Sequence, residues 1–277
     1  MAHPITKRVN GIDLHNPERG WSLQENGTSA RVARTVRRAP LVIGGRHGSA
    51  PTGRLPVYEE ASVSLTWLLM ADTQAGLEDA YRDLVGVLSV PGLVYQHEAA
   101  GVVTEAPAEL VSLTEPTDFT AGRLMRVSAI LSLTDPFLRD VEYTTTGELS
   151  AGTHELTQLA GTAPIRDAVV RFTGPTTHVT VLDVVSGTQL EWIGSGVTSD
   201  RYLYLDPARM AAWHSASDTA WDGSTGSVGA SGGLDYAGAG PLQLWPYTGE
   251  VAGVIVRQVQ LTTTGGSCVI RARRAWL

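Results

Sequence analysis

From residue 61 to 70 the chain reads ASVSLTWLLM, with Val63, Leu65, Trp67 and Leu69 on one face and Ser62, Ser64 and Thr66 beginning the other. A period of two predicts a half-buried strand. The period then lengthens. In DTQAGLEDAYRDLVGVLSVPG, Leu77, Ala80, Tyr81, Leu84, Val85 and Leu88 recur at helical spacing. Asp72 or Thr73 can cap the start, and Pro91-Gly92 closes the end. No other stretch predicts a long helix. Alternation returns over 123–134, where Met125, Val127, Ala129, Leu131 and Leu133 face one way. It stops at Asp135-Pro136, because proline has no N–H to donate to a ladder and pushes the preceding residue out of helical space. The next residue, Phe137, is expected to tuck under the edge of the domain that this strand completes.

The remaining apolar runs are short. Strands are expected at Ile5–Val9 and Trp21–Gln24, set among the turn signals Asn10-Gly11, Asn16-Pro17, Gly20 and Asn26-Gly27. Another is expected at Leu41–Ile43, entering a glycine-rich loop. Leu93–Gln96 and Val102–Thr104 suggest a hairpin. Residues 139–163, rich in Thr and Gly, read as a linker. Strands are then expected at Ala168–Phe172, Val179–Val185, Gln189–Ile193, Tyr202–Leu205, Leu242–Trp245, Val254–Leu261 and Cys268–Arg274. Residues 214–240 hold seven glycines and five serines and read as a mobile surface loop. The expected fold class is mainly β. An N-terminal β-rich domain with one α-helix spans 1–140, and a β-sandwich or jelly roll spans 141–277.

Composition narrows the function. The net charge of −7 gives no basic excess to suggest nucleic acid as the main partner. Lys7 is the only lysine among 21 basic residues. That skew, with heavy Ala, Gly, Val and Thr use, suggests a GC-rich genome. Cys268 is the single cysteine, so neither an internal disulfide nor a multi-thiolate metal site can form. No run reaches the ~18 apolar residues of a membrane span, and the start of the chain lacks the apolar core of a signal peptide. The expectation is a protein folded in a cytoplasm, with no membrane partner.

Catalytic patterns are missing. No two of the seven histidines have the helical spacing of a zinc site, no Gly-x-Ser-x-Gly elbow occurs, and GGRHG lacks the lysine of a phosphate loop. No catalytic residue, metal ligand or cofactor is assigned, and the chain is expected not to be an enzyme. Two charge runs stand out. Arg31, Arg34, Arg37, Arg38, Arg46 and Arg54 lie in 31–54 without an acid. Glu98, Glu105, Glu109, Glu115 and Asp118 lie in 98–118 without a base. The arginine run reads first as a solvated loop and next as an intersubunit contact, and the two charge runs could equally meet within one subunit. A nucleic-acid patch is the weaker reading, because no aromatic is interleaved with the arginines. Trp192 and Trp245 sit at strand positions and read as core. Trp213 and Trp221, beside the glycine-rich loop, are candidate exposed aromatics. Cys268 alternates with Ile270 and Ala272 and reads as a buried small group.

In order, VNGIDLHN, GGRHG, the single helix ending in SVPG, LSLTDPF, LAGTAPIRDAVVRFTGP, VVSGTQLEW, RYLYLDP and the closing RRAWL resemble the distal tail proteins of long-tailed, non-contractile bacteriophages. GGRHG has a histidine where an acid is expected, and the 214–240 loop is longer than a minimal sandwich needs. The resemblance spans nearly the whole chain. It implies a structural virion protein at the tail tip. Its N-terminal belt would close a homo-oligomeric ring, hexameric in the family, that joins the tail tube protein to the tail-tip hub, with the tape measure protein as a further neighbour. The C-terminal half would be a galectin-like sandwich. The skewed composition adds an actinobacterial host to that expectation. Within it, the arginine and glutamate runs are candidates for the two complementary patches that a closed ring repeats. The competing reading is a carbohydrate-binding module for host-surface adhesion, built on the sandwich and its loop tryptophans.

Overall fold

Helix Gln74–Leu88 forms where the period predicts it. Thr73 supplies the cap, its hydroxyl oxygen accepting from the Gly76 N–H at 3.1 Å. Leu77, Leu84 and Leu88 are the buried stripe. The structure is a computed structural model that describes residues 5–37, 55–114, 123–224, 226–236, 241–250 and 254–277, and the backbone alone at 117–118 and 251. The expected strand at Leu41–Ile43, the glycine-rich loop, Arg38, Arg46, Arg54, Glu115 and the Asp118 side chain lie outside the described residues. The chain divides into two compact units, 1–141 and 142–277.

The first unit is built on one antiparallel sheet. Its strand order is Ile12–Asp13, Ile5–Val9, Leu93–Ala99, Val102–Leu113, Leu124–Leu133, Ala61–Met70, Trp21–Leu23. The two alternating runs are adjacent and in phase. Val127 faces Trp67, Leu131 faces Val63, and all four are fully buried. Burying each such side chain contributes about 1.5–3 kcal/mol. Two indole N–H groups anchor neighbouring segments: Trp67 donates to the Leu14 carbonyl at 2.8 Å, and Trp21 donates to the Ala80 carbonyl of the helix at 2.9 Å. The register slips between Ile130 and Leu131 against Val102–Leu113, and Val111 at that bulge is 63% exposed. Phe137 is buried, as expected, with its ring edge-on to Tyr58 at 5.3 Å.

The second unit is a sandwich of two antiparallel sheets. One runs Thr144–Thr145, Cys268–Ala272, Val169–Thr173, Tyr202–Asp206, Ala211–Ser215, Val228–Gly229. The other runs Gly152–Leu156, Val254–Thr264, Thr176–Asp183, Gln189–Val197, Leu234–Asp235, with Pro246–Val251 also paired to Val254–Thr264.

Three expectations for this half are corrected. Parts of 139–163 are sheet and not linker: Thr144 and Thr145 pair with Ala272 and Arg271, and Gly152–Leu156 pairs with Val254–Thr264. These polar residues gain their partners from segments more than a hundred positions away, which local pattern does not reveal. The 214–240 segment also contributes strands, and its Ala220 is buried. Finally, Leu242–Trp245 is not a strand. Leu244 makes an isolated bridge to Ile165, and the Trp245 N–H is taken by the buried Asp183 carboxylate at 3.1 Å. Trp245 is accordingly half-buried rather than core, whereas Trp192 is buried as expected. Cys268 is fully buried, and burial pushes its thiol up to about 11.

Candidate interaction surfaces

The described members of the two charge runs have different fates. Arg31 and Arg37 are exposed. Arg34 is half-buried. Its Nε donates to the Pro136 carbonyl at 2.7 Å and its Nη1 to Val32 at 3.4 Å, and burial lowers its pKa. Its side chain is therefore engaged inside its own unit. Glu98 is also held locally, by Arg8 at 2.8 Å, and Arg8 reaches Asp13 at 2.7 Å on its other side. Glu105 accepts from Gln96 at 3.3 Å, and Glu109 is exposed. Of the described candidates, Arg31, Arg37 and Glu109 are the exposed ones.

Ala30, Arg31 and Arg34 lie beside a feature that the charge pattern does not reveal. Lys7 pairs in register with His97, His97 with Thr104, and Thr104 with Asp140, so four polar residues cross the sheet in one row. Lys7, Thr104 and Asp140 are buried. Lys7 Nζ donates to the Ala30 carbonyl at 3.3 Å, and burial lowers its pKa. Among the described residues the buried His97 Nε2 has no hydrogen-bond partner of good geometry, although the Ala30 main chain lies close enough to oppose part of the pKa lowering. Desolvation lowers the His97 pKa first, and the charges of Lys7, Arg31 and Arg34 lower it further. One local signal was available: Lys7 sits in phase with Val9, as a polar residue on an otherwise buried face.

In the second unit, Trp213 is corrected from exposed to buried. It lies on strand Ala211–Ser215, stacks on Tyr204 with ring centroids 5.5 Å apart and planes 5° apart, and donates Nε1–H to the Ala220 carbonyl at 2.8 Å. Val169, Tyr204, Trp213 and Ala220 form a small core on this sheet, flanked by the half-buried Trp221. The turn that carries Ala220 and Trp221 covers what strand alternation alone would leave to solvent. Only the outer surface of Trp221 remains accessible, and arginines surround it.

Among the described residues, no group of three or more His, Cys, Asp or Glu side chains converges to hold a metal ion, and no helix is long and apolar enough to cross a membrane.

No family model matches the chain, and no curated protein matches it. Solved structures do. The chain resembles the crystal structure of the SPP1 Dit (gp 19.1) protein, described as a paradigm of the hub adsorption apparatus in phages that infect Gram-positive bacteria. The TM-score is 0.62 at 15% identity, over 99% of each chain. Chains of the phage P2 baseplate in its activated conformation also match, with TM-scores of 0.46 for the calcium form and 0.45 for the strontium form, at 9% and 8% identity over 98% of each chain. The likeness to the SPP1 protein establishes a shared fold.

Proposed function

We propose that this chain is the distal tail protein of a long-tailed, non-contractile phage. It is a structural, non-enzymatic virion component that forms a ring, six-fold by analogy, at the end of the tail tube. The ring joins the tube protein to the tail-tip hub, close to the tape measure protein. The likeness in fold to SPP1 Dit over 99% of both chains carries this reading, because it takes in both units together and not the sandwich alone. The order of sequence motifs is an independent support.

A ring closed by one repeated heterologous contact needs two different surfaces on each subunit. We assign Arg31 and Arg37 to one and Glu109 to the other, since these charges are exposed and of opposite sign. The second unit is then the galectin-like appendage. The carbohydrate-module reading is weakened by the burial of Trp213, which leaves no pair of open tryptophan faces at the loop. Negative-stain imaging of the purified chain tests the proposal. Closed rings of uniform size support it; a strictly monomeric particle at every concentration refutes it.

A further inference from the structure

The sheet that carries Trp213 holds a second arrangement beside its small core. Arg271 and Val269 project from Cys268–Ala272 to the side opposite the buried Cys268, Ile270 and Ala272. Arg171 projects the same way from the neighbouring strand, between the fully buried Val170 and Phe172. The guanidinium of Arg271 lies 4.2 Å from the centre of the Tyr143 ring and 5.8 Å from that of Trp221. Arg171 lies 5.4 Å from the same Trp221 ring and 4.9 Å from Tyr202. Arg273 stands 5.2 Å from Tyr143. Cations and aromatic rings therefore alternate across the surface, from Tyr202 through Arg171, Trp221 and Arg271 to Tyr143.

Charge is not balanced along this row. Arg273 is paired with Asp167 at 2.8 Å. Arg171 donates to the Asp218 main-chain carbonyl and is 3.9 Å from the exposed Asp218 carboxylate. Among the described residues the Arg271 side chain makes no hydrogen bond and no ion pair; its contacts are the two rings. A guanidinium stacked between rings is held in orientation with its N–H edges still free, so little side-chain entropy is lost when a planar carboxylate accepts from them. Tyr143 beside it is 45% exposed and offers apolar surface as well.

We propose that Arg271, clasped between Tyr143 and Trp221 and flanked by Arg171 and Arg273, is a docking site for a glutamate- or aspartate-bearing peptide segment of a second protein. Local charge complementarity selects the carboxylate. The exposed tyrosine selects a peptide over a free inorganic anion, because the methylenes of an acidic side chain can pack on the ring. Arginine, tyrosine and tryptophan are also the residue types over-represented where protein interfaces concentrate their affinity. The proposal concerns the second unit alone and holds whether or not the first unit forms a ring.

The test is titration of the full chain with a hexaglutamate peptide at low salt, read by calorimetry. Arg271→Glu and the milder Arg271→Gln are compared with Arg257→Glu, which alters an exposed arginine on the other sheet. The expected result is saturable binding, weakened at least tenfold by either Arg271 change and by Tyr143→Ala, and unaltered by Arg257→Glu. Circular dichroism confirms folding, and the glutamine variant decides if the glutamate variant does not fold. Equal loss with Arg257→Glu means diffuse electrostatics and overturns the proposal. So does binding of inorganic phosphate or of a neutral oligosaccharide without binding of the peptide, and so does absence of peptide binding.

Discussion

Arg34 Nε donates to the main-chain carbonyl of Pro136 at 2.7 Å, joining positions 102 residues apart. Proline ends the ladder of Leu124–Leu133 because it cannot donate, but its carbonyl still needs a partner, and this guanidinium is one. Asp135 completes the corner. Its carboxylate accepts from the Phe137 N–H at 3.1 Å and from Arg139 at 2.6 Å, which turns Phe137 inward. Arg34→Met keeps an unbranched apolar stem and removes the donor. It should destabilise the protein by about 1–3 kcal/mol, the cost of a buried polar group left without its partner. Chemical denaturation of the full chain measures this; an unchanged midpoint would show that the contact contributes nothing.

Trp213→Ala removes a buried indole, its stack on Tyr204 and the bond to Ala220. A loss of about 3–5 kcal/mol is expected, with greater protease sensitivity in the 216–224 turn. If Trp213 were a surface aromatic, the change would be nearly neutral and cleavage there unaltered.

His97 makes stability depend on pH. Its pKa in the folded chain lies below the usual 6.5. The unfolded state therefore binds the proton more readily than the folded state does. This stabilising contribution is complete above about pH 6.5 and is lost as pH falls through the lower folded value. The groups lowering it are Lys7, Arg31 and Arg34 as well as burial itself. His97→Gln should flatten the decline in melting temperature below pH 6.5. The same acid limb in the variant would assign the decline to other groups.

Arg31→Glu with Arg37→Glu reverses two exposed charges and should leave secondary structure and melting unaltered. Exposed pairs contribute only about 0–1 kcal/mol each. A ring repeats the contact at every interface, so sedimentation should show a shift to smaller species that deepens with salt. An oligomer indifferent to both the mutations and salt would remove these residues from the contact.

Local pattern was sufficient wherever the stabilising partners lie within one turn or one face. The helix at 74–88 with its Thr73 cap, the strands at 61–70 and 124–133, the stop at Asp135-Pro136 and the burial of Cys268 were all legible in the chain itself. Apolar period and proline geometry act over a few residues, and the tertiary structure only has to agree with them. The candidate charges were legible as composition, but their roles were not: Arg34 and Arg37 look alike in sequence, and only the fold brings the Pro136 carbonyl to one of them.

Tertiary structure alone decided the rest. Thr144 and Gly152–Leu156 have no apolar period to mark them, and they become strands because Ala272 and Val254–Thr264 offer open hydrogen-bonding edges. Trp213 alternates like any residue facing solvent, until the turn at Ala220 closes over it. Lys7 is buried because the strand register sets it beside His97 and under Ala30. For Thr144 and Gly152–Leu156 the deciding neighbour lies more than a hundred residues away, whereas for Trp213 it is a turn only seven residues on. The contribution of these neighbours comes from desolvation and pairing across a sheet, which exist only once the chain has folded.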